Sequence, residues 1–149
     1  MNVALQPVTV VCVGKMKNPQ YRSLLTLYID RLKHDLKITL KIVTDSDITT
    51  EGQQIITLLH KMNSHSFALA EEGKLFSSYA FAAFLSKKNR PLTFIIGGPS
   101  GLSDPVKKNA DNLLSLSPMT FTHEMARVLL VEQLYRACSI LNHRAYHKE

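Results

Sequence analysis

Three glycines fall within five residues at Gly97-Gly98-Pro99-Ser100-Gly101, directly after the apolar run Leu92 to Ile96. Glycine has no Cβ, so a turn of this composition at the end of a strand lets backbone N–H groups approach a small molecule closely. The same residues also suit an ordinary tight strand-to-helix turn. Spacing excludes two nucleotide motifs. The P-loop needs Lys-Ser/Thr after its last glycine, whereas Leu102-Ser103 follow Gly101. The pattern G-x-G-x-x-G fails because Gly97 and Gly98 are adjacent and Pro99 lacks an N–H donor.

Metal and thiol chemistry find little support. His143 and His147 stand four apart, but with Arg144 and Ala145 between them they complete no recognised site, and no metal is expected. Cys12 and Cys138 lie in apolar segments without a C-x-x-C partner, so both read as small buried hydrophobes in a reducing compartment. Arg127 is more suggestive. It lies in the segment His123 to Leu141, whose apolar side chains project in nearly every direction, and an arginine there should find an anion from the protein or from a ligand. Glu132 and Arg136 pair at i,i+4 in the favourable order, whereas Arg127 has no such partner.

The elements that must hold these groups follow from periodicity. Val8 to Val13 is β-branched, continuously apolar and ended by Gly14, which predicts a buried central strand. Pro19 opens a helix running to Leu32, and Leu36 to Val43 alternates with Lys37, Thr39 and Lys41, as a half-buried strand near an edge would. Gln53 to Met62 predicts a second helix, and Phe67 to Ala70 a short strand closed by Glu71, Glu72 and Gly73. Ser77 and Ser78 can cap a third helix, Leu92 to Ile96 is another buried strand, and Ser103, Asp104 and Pro105 start a short helix. Ser115 to Phe121 predicts a short strand and His123 to Leu141 the longest helix. The alternation predicts one α/β domain, residues 1–149, around a mostly parallel sheet. A helix apolar on nearly all sides is buried in a core or an oligomer interface, so a homodimer is expected.

The chain has 149 residues, 45% hydrophobic and 20% charged, enough to bury a core without disulfides or metal. It has no run of about 18 apolar residues and no basic stretch leading into an apolar one at its start, so a cytoplasmic protein without membrane partners is expected. Charge is uneven. Residues 1–44 carry seven basic and two acidic side chains, residues 45–86 two and five, and residues 87–149 nine and five. Two basic ends favour a polyanionic partner, of which nucleic acid is the commonest.

FIIGGPSGL at 94–102, LSLSPMTFTHEMARVLLVEQLYRA at 114–137, Val13-Gly14-Lys15 and the ending AYHKE together resemble the bacterial RlmH family of SPOUT-class methyltransferases over essentially the whole chain. The resemblance implies a trefoil-knotted α/β fold, a homodimer and S-adenosylmethionine as cofactor. It further implies methylation at N3 of a pseudouridine in 23S ribosomal RNA, on the assembled ribosome. By the same resemblance the cofactor lies among the loops after three strands, which map onto Leu69, onto Gly97 and Gly98, and onto Ser117, Pro118, Met119, Thr120, Phe121 and Thr122. Thr122 stands where the family usually has proline, and Arg144-Ala145 precede Tyr146 where relatives often have proline.

The chemistry asks for in-line orientation, exclusion of water and removal of the N3 proton. His147 and Tyr146 are the expected proton acceptors, with Arg127 and Arg136 stabilising charge on the uracil carbonyls or gripping phosphate. Two rival readings share the basic ends: a non-catalytic RNA-binding domain, and a small nucleotide-binding enzyme acting on a metabolite. Cofactor titration separates all three.

Overall fold

A computed structural model describes residues 3–148. Five parallel strands form one sheet in the order β2-β1-β4-β3-β5. They are β1 (Val8–Val13), β2 (Ile38–Val43), β3 (His65–Leu75), β4 (Leu92–Ile96) and β5 (Asn112–Ser115). Between and after them run α1 (Pro19–Leu32), α2 (Ile48–Lys61), α3 (Ser78–Ser86), α4 (Asp104–Asn109) and α5 (His123–Leu141). The α/β class and the parallel sheet are as expected from the sequence.

β1 and β4 are apolar apart from Thr9 and Thr93 because helices cover both faces of the sheet. On one face Val8, Val10, Cys12, Phe67 and Phe94 pack against α1, α3 and α5; on the other, Val11, Val13, Val43 and Ile95 meet Ile55 of α2 and Val106 of α4. Polar side chains fix where the helices begin. Asn18 accepts from the N–H groups of Gln20 and Tyr21 ahead of Pro19, and Asp47, Ser77 and Thr122 accept from Thr50, Ala80 and Met125.

Three boundaries depart from expectation. α2 starts at Ile48, five residues before Gln53, because Asp47 caps it and Gly52 is kept inside the helix. A Cβ on Gly52 would lie 2.5 Å from Ser103 Oγ, so the glycine lets α2 approach the start of α4. β3 does not close at Gly73 but resumes its pairing with β5 at Lys74 and Leu75 after a bulge, and Glu71 and Glu72 sit on that bulge. β5 lies earlier than expected, at Asn112–Ser115, and residues 116–122 form a loop.

α5 finds cover within the chain, packing on α1 and α3 with Leu130, Val131, Leu134 and Cys138 fully buried, and the C-terminal tail folds over a further part of its surface. Exposed large apolar side chains are spread over α1 (Leu24, Leu27), the edge strand (Leu40, Ile42), the end of β3 and start of α3 (Leu75, Tyr79) and the loop after β5 (Met119, Phe121). The side chain of Asn142, just past α5, accepts from Val3 N at 2.6 Å and donates to Val3 O at 2.8 Å, fastening the two ends of the chain together.

Candidate active site

A cleft of about 400 Å³ opens at the C-terminal ends of β3, β4 and β5, where a parallel sheet presents its loops to ligands. Its walls come from Leu69 to Glu72 on the β3 bulge, from Ile96 to Leu102 after β4, and from Leu116 to Phe121 after β5, with Lys107, His123 and Ala126 at the margins. Of the nine cofactor positions expected from the sequence, Leu69, Gly97, Gly98, Ser117, Met119, Thr120 and Phe121 line this cleft. Pro118 and Thr122 do not; Thr122 is occupied as the cap of α5.

The glycines form the tight strand-to-helix turn that their sequence allowed. The turn after β4 folds onto itself: Gly101 N donates to Gly98 O at 2.9 Å, and a Cβ on Gly97 would lie 2.5 Å from the carbonyl carbon of Gly101. Gly101 adopts φ +77°, which suits glycine. A Cβ on Gly98 would meet Val13 Cγ1 at 3.1 Å, so that glycine faces the sheet rather than making room for a ligand. The third wall is shaped by hydroxyls. Ser115 Oγ donates to Ser117 O at 2.9 Å, Ser117 Oγ accepts from Met119 N at 3.0 Å, and Thr120 Oγ1 donates across the cleft to Glu71 Oε1 at 2.6 Å. Met119 remains 74% exposed at the tip, an apolar side chain beside an open cleft.

Arg127 lies outside the cleft lining. It is 2% exposed, its Nη2 donates to Val13 O at 2.5 Å, and its buried Nε has no partner. The guanidinium braces the end of β1 against α5, and the Glu124 carboxylate lies close enough to feel its charge. Glu124, which sequence reasoning missed, does the same one turn earlier by accepting from Lys17 N at 2.6 Å and Asn18 N at 3.0 Å. These donors, Asn18 first, hold its carboxyl below the usual range. Its position near the N-terminus of the longest helix was visible in the sequence, but its partners were not.

Tyr146 and His147 also lie away from the cleft and come together on the middle of α5. Tyr146 donates to Glu132 Oε1 at 2.8 Å, Arg136 Nε donates to the same oxygen at 3.1 Å, and Arg136 Nη1 donates to His147 Nδ1 at 3.0 Å. The Tyr146 ring packs edge-on against Tyr135, and the His147 ring against Tyr79. Burial, together with the bonds to Tyr28 and Glu132, raises the Tyr146 hydroxyl well above the ordinary phenol range, so it stays protonated. In this arrangement Tyr146 acts as a donor to Glu132. The i,i+4 pair of Glu132 and Arg136 forms as expected, and it carries the tail.

Among the described residues no group of three potential ligands is placed to hold a metal, and no helix is long and apolar enough to cross a membrane. Burial pushes the Cys12 thiol up to about 11, and burial with the nearby Asp35 charge pushes Cys138 up to about 12. Raised folded values mean that the stability tied to these thiols is complete below about pH 8.5 and declines as the pH rises above that value. Native protein at pH 8 is expected to resist iodoacetamide at both thiols while the urea-unfolded chain reacts at both. Counting adducts by mass spectrometry checks this, and rapid native labelling would contradict the burial.

The cleft's composition can be set beside known proteins. A family model described as "Predicted SPOUT methyltransferase" matches residues 7–147. A ribosomal RNA large subunit methyltransferase H from Christiangramia forsetii is 38% identical over 155 residues, spanning 94% of this chain and 98% of that one. The protein of the same name from Prochlorococcus marinus is 41% identical over 141 residues, spanning 94% of each. Among solved structures, a "probable methylase family protein" from Haemophilus influenzae has a TM-score of 0.60 at 10% identity, over 95% of this chain and 70% of that one. The SpoU methyltransferase AviRb from Streptomyces viridochromogenes, solved with AdoMet, has a TM-score of 0.51 at 14% identity, over 90% of this chain and 58% of that one. With the family model covering nearly the entire sequence and relatives aligned end to end, the chain belongs to the SPOUT methyltransferase family.

Proposed function

We propose that the protein is an S-adenosylmethionine-dependent methyltransferase that modifies N3 of a pseudouridine in 23S ribosomal RNA, working in the cytoplasm as a homodimer on the assembled ribosome. One observation carries the reading: loops far apart in sequence converge on a single cleft whose walls are mostly backbone and small or apolar side chains. Relatives matched over nearly their full length bear the name of a large-subunit ribosomal RNA methyltransferase.

The cleft suits the cofactor. Its volume, about 400 Å³, lies within the usual range for small-molecule sites, roughly 300–1,000 Å³. Leu69, Leu102 and Met119 offer apolar contact for an adenine, and the folded glycine turn and the Ser117 to Phe121 loop offer main-chain groups. When bound, the cofactor supplies a methyl already activated on a sulfonium centre. What remains for the protein is to orient the base, exclude water and manage the N3 proton. Arg127 acts from behind the wall as a positioning residue, holding Val13 and the start of α5 together.

In the observed tail arrangement Arg136 Nη1 donates to His147 Nδ1, so this nitrogen is engaged on α5 and faces away from the cleft of its own subunit. In a dimer whose two-fold axis brings the final helices together, the tails would let Tyr146 and His147 complete the neighbouring subunit's cleft.

Two measurements test the reading. Calorimetry should show binding of S-adenosylmethionine but not of ATP or NAD, and mass-spectrometric mapping should show one methylated pseudouridine in 23S RNA lost when the protein is absent. For the tail, mixed dimers pair a subunit carrying Gly97→Ala with one lacking residues 143–149. Recovered activity supports a shared site, whereas no recovery in verified heterodimers would contradict it.

A further inference from the structure

The chain carries a net charge of +6, a field that attracts nucleic acid and opposes a cationic ligand. The charges on the cleft wall are arranged differently. Glu72 is neutralised by Lys107, whose Nζ lies 2.7 Å from Oε1. Glu71 is not paired with any cation in the cleft; its Oε1 accepts only the neutral hydroxyl of Thr120, at 2.6 Å. It sits on the bulge that interrupts the pairing of β3 with β5, which turns its backbone out of the ladder and toward the opening. The wall therefore presents one uncompensated carboxylate within a basic protein.

We propose that Glu71 is a specificity-determining residue that favours the cationic sulfonium cofactor over its neutral thioether product. This rests on the cofactor reading given above. The two ligands share adenosine and amino-acid portions and differ by one methyl and one positive charge. Apolar contacts and main-chain bonds treat them nearly alike, so only a charged group can separate them strongly. The Thr120 hydroxyl keeps the carboxylate turned into the cleft. Loss of the positive charge on methyl transfer removes the attraction to Glu71, which favours release of the product.

The test compares S-adenosylmethionine and S-adenosylhomocysteine by calorimetry at low and high salt, in the wild type, Glu71→Gln and Thr120→Val. Glu71→Gln keeps the size and a hydrogen-bond acceptor but loses the charge. Its preference for the sulfonium ligand is expected to fall about three- to fivefold at low salt, the range of a solvent-exposed ion pair, and to lose its salt dependence. Thr120→Val is expected to weaken both ligands, because it frees the loop as well as the carboxylate. An unchanged preference in Glu71→Gln, or equal weakening of both ligands, would overturn the role of Glu71 while leaving the cofactor reading intact. Failure of the wild type to bind either ligand would overturn both.

Discussion

Gly97→Ala is expected to lose cofactor affinity by about 1–3 kcal/mol, roughly 5- to 150-fold, the range of overpacking a tight site. The added methyl would collide with backbone, at 2.5 Å from the carbonyl carbon and 2.6 Å from the carbonyl oxygen of Gly101, and backbone cannot swing aside as a side-chain end can. The bridge between Gly98 and Gly101 must open to admit it, and the cleft wall moves with it. Gly101→Ala is the matched control. Its Cβ would have nothing within 4 Å, so only the φ of +77° is penalised, by about 1 kcal/mol. Calorimetry with S-adenosylmethionine, supported by thermal melts, checks the pair. Wild-type affinity in Gly97→Ala would mean that the turn is not part of the site.

The second large effect is expected in stability. Arg127→Ala empties a fully buried position and strands the Val13 carbonyl, which should cost about 2–4 kcal/mol in urea denaturation with an unchanged m-value. Arg127→Met keeps most of the volume and removes the buried charge, so its cost should be about half as large. An arginine that gripped substrate from the surface would give the opposite result, with activity lost and stability kept. Full stability in Arg127→Ala together with loss of turnover would return Arg127 to the reacting groups.

Much of the fold was legible in the sequence because several segments follow one rule each. β1, β4 and α5 have the expected bounds: apolar runs ended by glycine, or a long helical stretch with apolar residues on nearly every side. α1 begins at Pro19, as its ring geometry suggests. Errors arose where tertiary contacts set the outcome. β3 resumes after its bulge because β5 lies beside it, and neither partner is visible along the chain. The stretch after Ser115 had enough Met, Thr and Phe to suggest a strand, but Ser115 and Ser117 turn it by local side-chain bonds and Pro118 cannot donate to a ladder. The site shows the same division. Its glycine and Ser117 to Phe121 loops could be placed from the resemblance, whereas the inward role of Arg127, the clasp made by Glu124 and the fastening of Tyr146 and His147 to α5 depend on which helices meet.

The fastening of Asn142 to Val3 has a consequence for how the molecule comes into being. Every strand pair is parallel and β1, made before the other four, lies inside the sheet between β2 and β4, so each ladder must wait for a later crossover to be synthesised. β1 gains its β4 neighbour only after Leu92 has emerged, and α5 covers the same apolar face only after Leu141 has emerged. A nascent chain therefore carries an uncovered, edge-exposed sheet through most of its synthesis. The cleft gains its third wall only after the loop beyond Ser115 has emerged, and the clasp between Asn142 and Val3 closes later still.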